Sequence, residues 1–355
     1  MTQRLEYLDS IRGIAALIVV FHHIFETFIK YNPDFYPVLV HLFETINLGR
    51  MGVIVFFITS GFVIPYSLKP DTPNGLKIFI IKRFFRLYPA YWFSIVSALV
   101  IGIGVGINII SVDQVLINFT MIQKFLGFES VIESYWTLHL ELVFYIICGL
   151  LFSLGLIHKS QYHMLLSVIF CLCAVGFAAL KYYKFMKVPI IMPLGISVMF
   201  FGALLRSYFI DKQTGLRNPL IILAVFYLIC LVVATKIYYQ DGWLKWFSSH
   251  IVAFLLFFAF ITKVKLRHKF FVYIGRISYS LYLLHSLIIG VVFYLLGDFS
   301  YTSLGFYCVM ILVLLISVFV ADISYRIIEN PSVALAKKFT AKYRKIEINK
   351  ANYGI

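Results

Sequence analysis

The sequence predicts an all-α, polytopic integral membrane protein of about ten transmembrane helices. Three observations carry that prediction. First, 61% of the 355 residues are hydrophobic and only 13% are charged, whereas a soluble globular protein carries about 25% charged residues; the mean hydropathy is +0.91. Second, apolar segments able to cross a bilayer, which takes about 20 residues at 1.5 Å rise, recur along the whole chain. They fall at roughly 8–29, 46–68, 88–107, 136–157, 162–180, 189–205, 218–235, 243–262, 277–296 and 303–323. Third, the connections are short and leave no room for a soluble domain. In lipid the backbone polar groups must be paired within each segment, so these spans are helices. Residues 1–335 are expected to form one transmembrane domain. Residues 336–355 read as a basic cytoplasmic tail, a surface segment drawn to anionic lipid.

The net charge of +15 fits a membrane protein with basic cytoplasmic loops. No loop is long enough to build the extended basic surface that nucleic acid requires. No cleavage pattern follows the first apolar segment, so it reads as a retained helix. Cys148, Cys171, Cys173, Cys230 and Cys308 all sit in apolar segments, without zinc spacing or a disulfide framework. With the N-terminus inside, most of the 31 Lys and Arg residues fall in cytoplasmic segments. The exceptions are Lys30, Arg50, Lys124, Lys181, Lys184, Lys187, Lys236 and Lys245. Both termini are thus expected in the cytoplasm, and Lys181–Lys187 is the one basic cluster that the rule places outside.

The first segment carries ionisable residues at membrane depth, where they are costly and usually line a protein interior or a cavity. Arg12 and His23 are separated by ten residues. At about 100° per residue they share one helix stripe, roughly 16 Å apart along the axis. Glu26 joins that stripe, and His22 points about 100° away. The second segment contains Gly49-Arg50-Met51-Gly52-Val53-Ile54-Val55-Phe56-Phe57-Ile58-Thr59-Ser60-Gly61-Phe62, whose small residues permit close helix approach. Ahead of the third lies Lys82-Arg83-Phe84-Phe85-Arg86-Leu87-Tyr88-Pro89. Arg83 and Arg86 share a face and serve either as a positive-inside anchor, with Pro89 at a helix start, or as a phosphate clamp. Residues 108–134 are interrupted by polar side chains and read as an interfacial or re-entrant piece.

The fourth segment opens with Tyr135-Trp136-Thr137-Leu138-His139-Leu140-Glu141-Leu142-Val143-Phe144-Tyr145. Glu141 and Tyr145 lie one turn apart on one face, and a carboxylate at that depth needs a partner. Tyr135 and Trp136 taken alone read as interfacial anchors. Segments five to eight offer only His163 and His250, near their starts. The ninth runs Gly275-Arg276-Ile277-Ser278-Tyr279-Ser280-Leu281-Tyr282-Leu283-Leu284-His285, with Ser278, Tyr282 and His285 on one stripe. The last segment leads into Glu329-Asn330-Pro331.

These stretches, in this order, resemble the acyltransferase-3 family of integral membrane O-acyltransferases. Its marks are the Arg-x10-His pair (Arg12, His23), the Phe-Phe-x-x-Ser-Gly-Phe run, the Arg-x-x-Arg pair (Arg83, Arg86), a Trp-Ser-Leu-x-x-Glu-x-x-Phe-Tyr motif with Thr137 in place of Ser, the Gly-x-x-Ser-Tyr-x-x-Tyr-Leu-x-His signature, and a terminal Glu-x-Pro. The esterase-like domain fused to some members is not expected here, nor is its Gly-Asp-Ser motif found in these 355 residues. The resemblance implies transfer of an acyl group, acetyl from acetyl-coenzyme A, to a hydroxyl of a surface or lipid-linked glycan. It implies a location in the bacterial cytoplasmic membrane, in contact with membrane lipids. His23 is the expected base, with Arg12, Glu26 and Glu141 as its catalytic companions. Arg83, Arg86 and, in a lesser role, Lys82 are expected to hold the donor phosphates. Trp136, Tyr145, Tyr282 and His285 are expected on the substrate side, with no metal. Glu329 is expected to pair with an arginine. Transfer of succinyl or another short acyl group is an alternative, and a transporter is the reading from a different class.

Overall fold

Helix α1 (Glu6–Tyr31) is followed by the short α2 (Leu39–Thr45), α3 (Leu48–Val63), the long α4 (Gly75–Val105) and the short α5 (Val112–Asn118). Then come α6 (Trp136–Ser153), α7 (Ser160–Lys184), α8 (Ile191–Phe209), α9 (Arg217–Tyr239) and α10 (Trp243–Ala259). The chain closes with α11 (Lys269–Leu296), α12 (Ser303–Ser324) and α13 (Asn330–Tyr353). This computed structural model describes residues 5–31, 39–70, 72–105, 111–184, 188–297 and 303–353, and among them there is no strand. Lys187, residues 108–110 and Arg4 lie outside the described residues.

Nine stretches among the described residues are long and apolar enough to cross a membrane. One of them, Thr214–Val264, holds both α9 and α10. The break between them is at Gln240–Gly242, where Gln240 takes a left-handed φ of 49°. Counted separately, α9 and α10 bring the total to the ten spans expected. Exposed Leu165 and Leu172 on α7, Ile222 and Ile229 on α9, and Leu315 and Phe319 on α12 leave apolar faces suited to lipid.

Two sequence expectations are corrected. Pro89, expected at a helix start, lies inside α4, which begins at Gly75. Proline cannot donate to the carbonyl one turn before it. A tertiary bond meets the backbone just before it, where Tyr279 donates to the Leu87 carbonyl (2.8 Å), and just after it the Tyr91 side chain donates to the Asn118 carbonyl (2.7 Å). Tyr135, read as an interfacial anchor, is fully buried, and its hydroxyl meets Ser94 Oγ at 2.7 Å.

The chain divides into two units. The first comprises Met1–His22, Asn32–Tyr66 and Leu140–Arg276. Glycines set its closest helix crossings. A Cβ on Gly61 would lie 1.7 Å from the Met199 carbonyl oxygen, and one on Gly202 would lie 2.3 Å from that of Ile58, so α3 and α8 touch backbone to backbone. A Cβ on Gly275 would likewise strike the Asp9 carbonyl oxygen at 1.9 Å, where α1 meets the start of α11. Such contacts take the place of a hydrophobic drive that lipid does not supply.

The second unit comprises His23–Tyr31, Ser67–His139 and Ile277–Ile355. Phe28 packs on Phe306 and Phe293, with ring centroids 4.4 and 6.4 Å apart. The expected interfacial piece forms α5 and short turns rather than a span. Short helices leave their last carbonyls unpaired. Here Tyr91, Trp92 and Tyr88 of α4 donate to the carbonyls of Asn118, Phe119 and Thr120 at 2.7, 2.9 and 3.1 Å. The stretch expected as a basic tail, residues 336–355, enters α13, and its start packs on α4, with Phe339 stacked on Phe85 at 5.7 Å.

Candidate active site

Within the second unit an imidazole of α1 and one of α11 meet. The ring centroids of His23 and His285 are 5.2 Å apart. Glu26, one turn after His23, places Oε2 3.4 Å from His23 Nδ1. A carboxylate accepts, so the proton of His23 belongs on Nδ1 and its Nε2 presents a lone pair. The His23 side chain is 38% exposed, enough to meet a substrate. The register that aims His23 this way turns His22 aside, and His22 is buried and stacked on Phe43 in the first unit.

His285 is fully buried. Its Nδ1–H donates to the carbonyls of Tyr282 and Leu281 at 2.8 and 3.2 Å, which leaves Nε2 as the acceptor, 3.2 Å from Ser286 Oγ. Tyr282 in turn donates to the Ser134 carbonyl (2.9 Å) and accepts from the Thr137 hydroxyl (2.8 Å). The hydroxyl at 137, the one departure from the family's Trp-Ser-Leu pattern, thus has a defined bond. Ser134 Oγ is buried without a partner. Ser134 and Thr137 were not singled out as site residues; the hydroxyl spacing ahead of α6 was the available signal. Trp136, between them in sequence, is half-buried.

At the other motif of this unit the arginine pair divides. Arg83 donates to Ser67 Oγ at 3.1 Å, and its guanidinium lies 5.3 Å from the Phe79 ring. With Lys82, Lys69, Thr72 and Gly75 it lines a cavity of about 190 Å³. Gly75 begins α4, so the positive end of that helix adds to the three cations. Arg86 instead pairs with Glu329, whose other oxygen accepts from Ser280 at 2.7 Å. Glu329 is 1% exposed, and the Arg86 guanidinium also faces the Tyr279 ring at 5.5 Å. The expected arginine partner of Glu329 is therefore Arg86. Lys69 and Thr72 were not foreseen in the cavity. They sit in the turn before α4, and the apolar pattern had placed the helix start too late to include it.

The first unit holds the remaining candidates. Glu141 accepts from the Tyr145 hydroxyl one turn on, which supplies the partner that a carboxylate at that depth requires. Arg12 is half-buried on α1. Among the described residues no group of three or more His, Cys, Asp or Glu side chains is placed to hold a metal ion.

A multi-pass helical bundle that brings an imidazole–carboxylate pair beside a second imidazole has the parts of a membrane-embedded transferase. The family model described as an acyltransferase domain matches residues 5–322, nearly the whole chain. The chain belongs to the acyltransferase-3 family. It is similar to ORF330 of Acidianus two-tailed virus, which carries an acetyltransferase name, with 24% identity over 300 residues, 82% of this chain and 86% of that one. It is also similar to acyltransferase MdmB of Streptomyces mycarofaciens, with 28% identity over 151 residues, 40% of this chain and 38% of that one. No solved structure matches. Family membership makes the protein an acyltransferase.

Proposed function

We propose that the protein moves an acetyl group from acetyl-coenzyme A to a hydroxyl of a cell-surface or lipid-linked glycan. The observation that carries this reading is the Glu26–His23–His285 arrangement, with Nδ1 of His23 turned to a carboxylate and its ring beside a second imidazole. A sugar hydroxyl is a poor nucleophile. His23 Nε2 takes its proton as the oxygen attacks the thioester carbonyl, Glu26 steadies the imidazolium, and the same proton is returned to the departing thiolate. The ester forms as the carbon–sulfur bond breaks, leaving free coenzyme A. Tyr282 and His285 shape the acceptor side, with Trp136 at its edge.

The donor phosphates bind at Arg83, Lys82 and Lys69. A cavity of about 190 Å³ is smaller than the several hundred Å³ of a typical ligand pocket, so it takes the phosphates and leaves the rest of the donor outside it. Arg86 backs that helix through Glu329. The acetyltransferase name of the viral relative supports acetyl as the group moved.

The test mixes purified protein in nanodiscs with acetyl-coenzyme A, with and without a lipid-linked glycan extract, and follows free thiol. Release that depends on the glycan is expected. Release with succinyl-coenzyme A alone would replace the acyl group, and well-folded protein without release or coenzyme A binding would move the reading to a transporter.

The loop-charge count supports both termini inside, and the family resemblance supports a bacterial cytoplasmic membrane. A cysteine introduced as Thr72→Cys is then expected to react with an impermeant maleimide only in inside-out vesicles. Labelling in intact cells would invert the topology and move the donor site to the wrong face for coenzyme A.

A further inference from the structure

We infer that Ser286 is an internal acyl acceptor of the second unit: between encounters with a glycan it takes the acetyl group of the donor as a serine ester and holds it. The inference goes one step beyond the reading above and rests on its acetyl-coenzyme A donor. The motifs of α11 give Ser286 no role, since the last residue they mark is His285.

The tautomer of His285 carries the argument. Its Nδ1 lies 2.8 Å from the Tyr282 carbonyl and 3.2 Å from that of Leu281, and a carbonyl only accepts. The proton is therefore on Nδ1, and in the neutral ring Nε2 is the acceptor. The hydroxyl 3.2 Å away, Ser286 Oγ, donates to it. A hydroxyl that donates to an imidazole, whose far nitrogen is held by a third group, is the arrangement that activates a serine nucleophile. Backbone carbonyls of the same helix orient the ring here, in place of a carboxylate. His285 is fully buried, so water does not compete for its Nε2, whereas Ser286 is half-buried and within reach of a substrate.

The place of Ser286 on α11 suits both substrates. Tyr279, Tyr282 and Ser286 follow at intervals of three and four and share one stripe. Tyr279 donates to the Leu87 carbonyl of α4 at 2.8 Å, one turn beyond Arg83. Ser286 is seven residues further on, roughly 10 Å along the axis, a span that a pantetheine arm covers from phosphates held at Arg83 and Lys82. The His285 ring that meets Ser286 also lies 5.2 Å from the ring of His23, so the ester forms beside the base assigned to the glycan. In the first step Ser286 Oγ attacks the thioester carbonyl and its proton passes to His285 Nε2. The carbon–sulfur bond breaks and that proton moves to the departing thiolate, giving acetyl-Ser286 and free coenzyme A. A glycan hydroxyl, giving its proton to His23, then attacks the serine ester, and the proton returns to Ser286 Oγ.

The experiment incubates the purified full chain in nanodiscs with radiolabelled acetyl-coenzyme A and no glycan, denatures it in acid and maps the label by peptide mass spectrometry. About one acetyl group per chain is expected on Ser286, the amount that a covalent intermediate accumulates. It should resist neutral hydroxylamine and leave in alkaline hydroxylamine, as an oxygen ester does. Ser286→Ala should lose the label. Ser286→Cys should keep it as a thioester that neutral hydroxylamine removes, and this variant and the native peptide carry the test if the Ala variant does not fold. His285→Gln should slow labelling by about 10²–10⁴. Label on a histidine, label retained by Ser286→Ala, or label only on lysine amides that survive alkaline hydroxylamine overturns the inference. Native protein without an ester but with glycan-dependent thiol release overturns it too, and leaves the reading above intact. An ester on Ser286 that no added glycan removes supports the inference and takes the glycan out of that reading. Neither ester nor release overturns both.

Discussion

His23→Ala is expected to lower acyl transfer by about 10²–10⁴, the range that a positioned general base contributes, while the affinity for coenzyme A stays unchanged. The expectation follows from geometry rather than from the presence of a histidine. Of the two adjacent imidazoles on α1, His22 is buried against Phe43 and Gly49, and only His23 is open to substrate beside a carboxylate. Glu26 is 65% exposed, where solvent weakens its hold on the imidazolium. Glu26→Gln should therefore cost about tenfold or less. His285→Ala should act through the acceptor, raising its KM more than it lowers kcat, because its ring packs against those of His23 and Tyr282. Free-thiol release under saturating donor checks all three. Turnover by His23→Ala equal to the native rate would remove the base from this reading.

Arg86→Ala is expected to destabilise the fold by about 3–5 kcal/mol, since it strips the partner from a buried carboxylate. Arg83→Ala, three residues earlier, is expected to leave the melting temperature unchanged and to weaken coenzyme A binding. The two arginines share one face of α4, yet one reaches Glu329, which is 1% exposed, and the other lines the cavity with Lys69 and Lys82. Replacing both members of the buried pair, Arg86→Met with Glu329→Gln, should recover much of the stability, because the charges leave together and the Ser280 bond has an amide to meet. Thermal unfolding in nanodiscs and coenzyme A titration separate the two roles. Equal losses of binding in the Arg83 and Arg86 variants, with no change in stability, would restore the simple clamp of two arginines.

That division was not legible in the sequence. Spacing placed Arg83 and Arg86 on one face, but a guanidinium several bonds from its Cα reaches in different directions depending on what surrounds it. The partner of Arg86 lies 243 positions away. The start of α4 was misplaced for a related reason. The charges of Lys77, Lys82, Arg83 and Arg86 interrupt the apolar run that follows Gly75, so hydropathy marks the start only after them, whereas the helix runs through them from Gly75. Tyr135 shows the opposite failure: an aromatic at a span boundary looks like an anchor until Ser94 supplies a partner for its hydroxyl.

The sequence alone determined the class of protein, the number of spans, the family and the stripe of α1 that carries His23 and Glu26. These depend on local quantities, a run of apolar residues and a rotation of about 100° per residue, which any stretch of chain reports by itself. Only the tertiary structure decided which imidazole meets which carboxylate, which arginine faces a cavity and which buried polar atoms are left wanting a partner. Those outcomes depend on side chains from distant helices meeting in a medium without water, where each polar group must find a partner or stay costly.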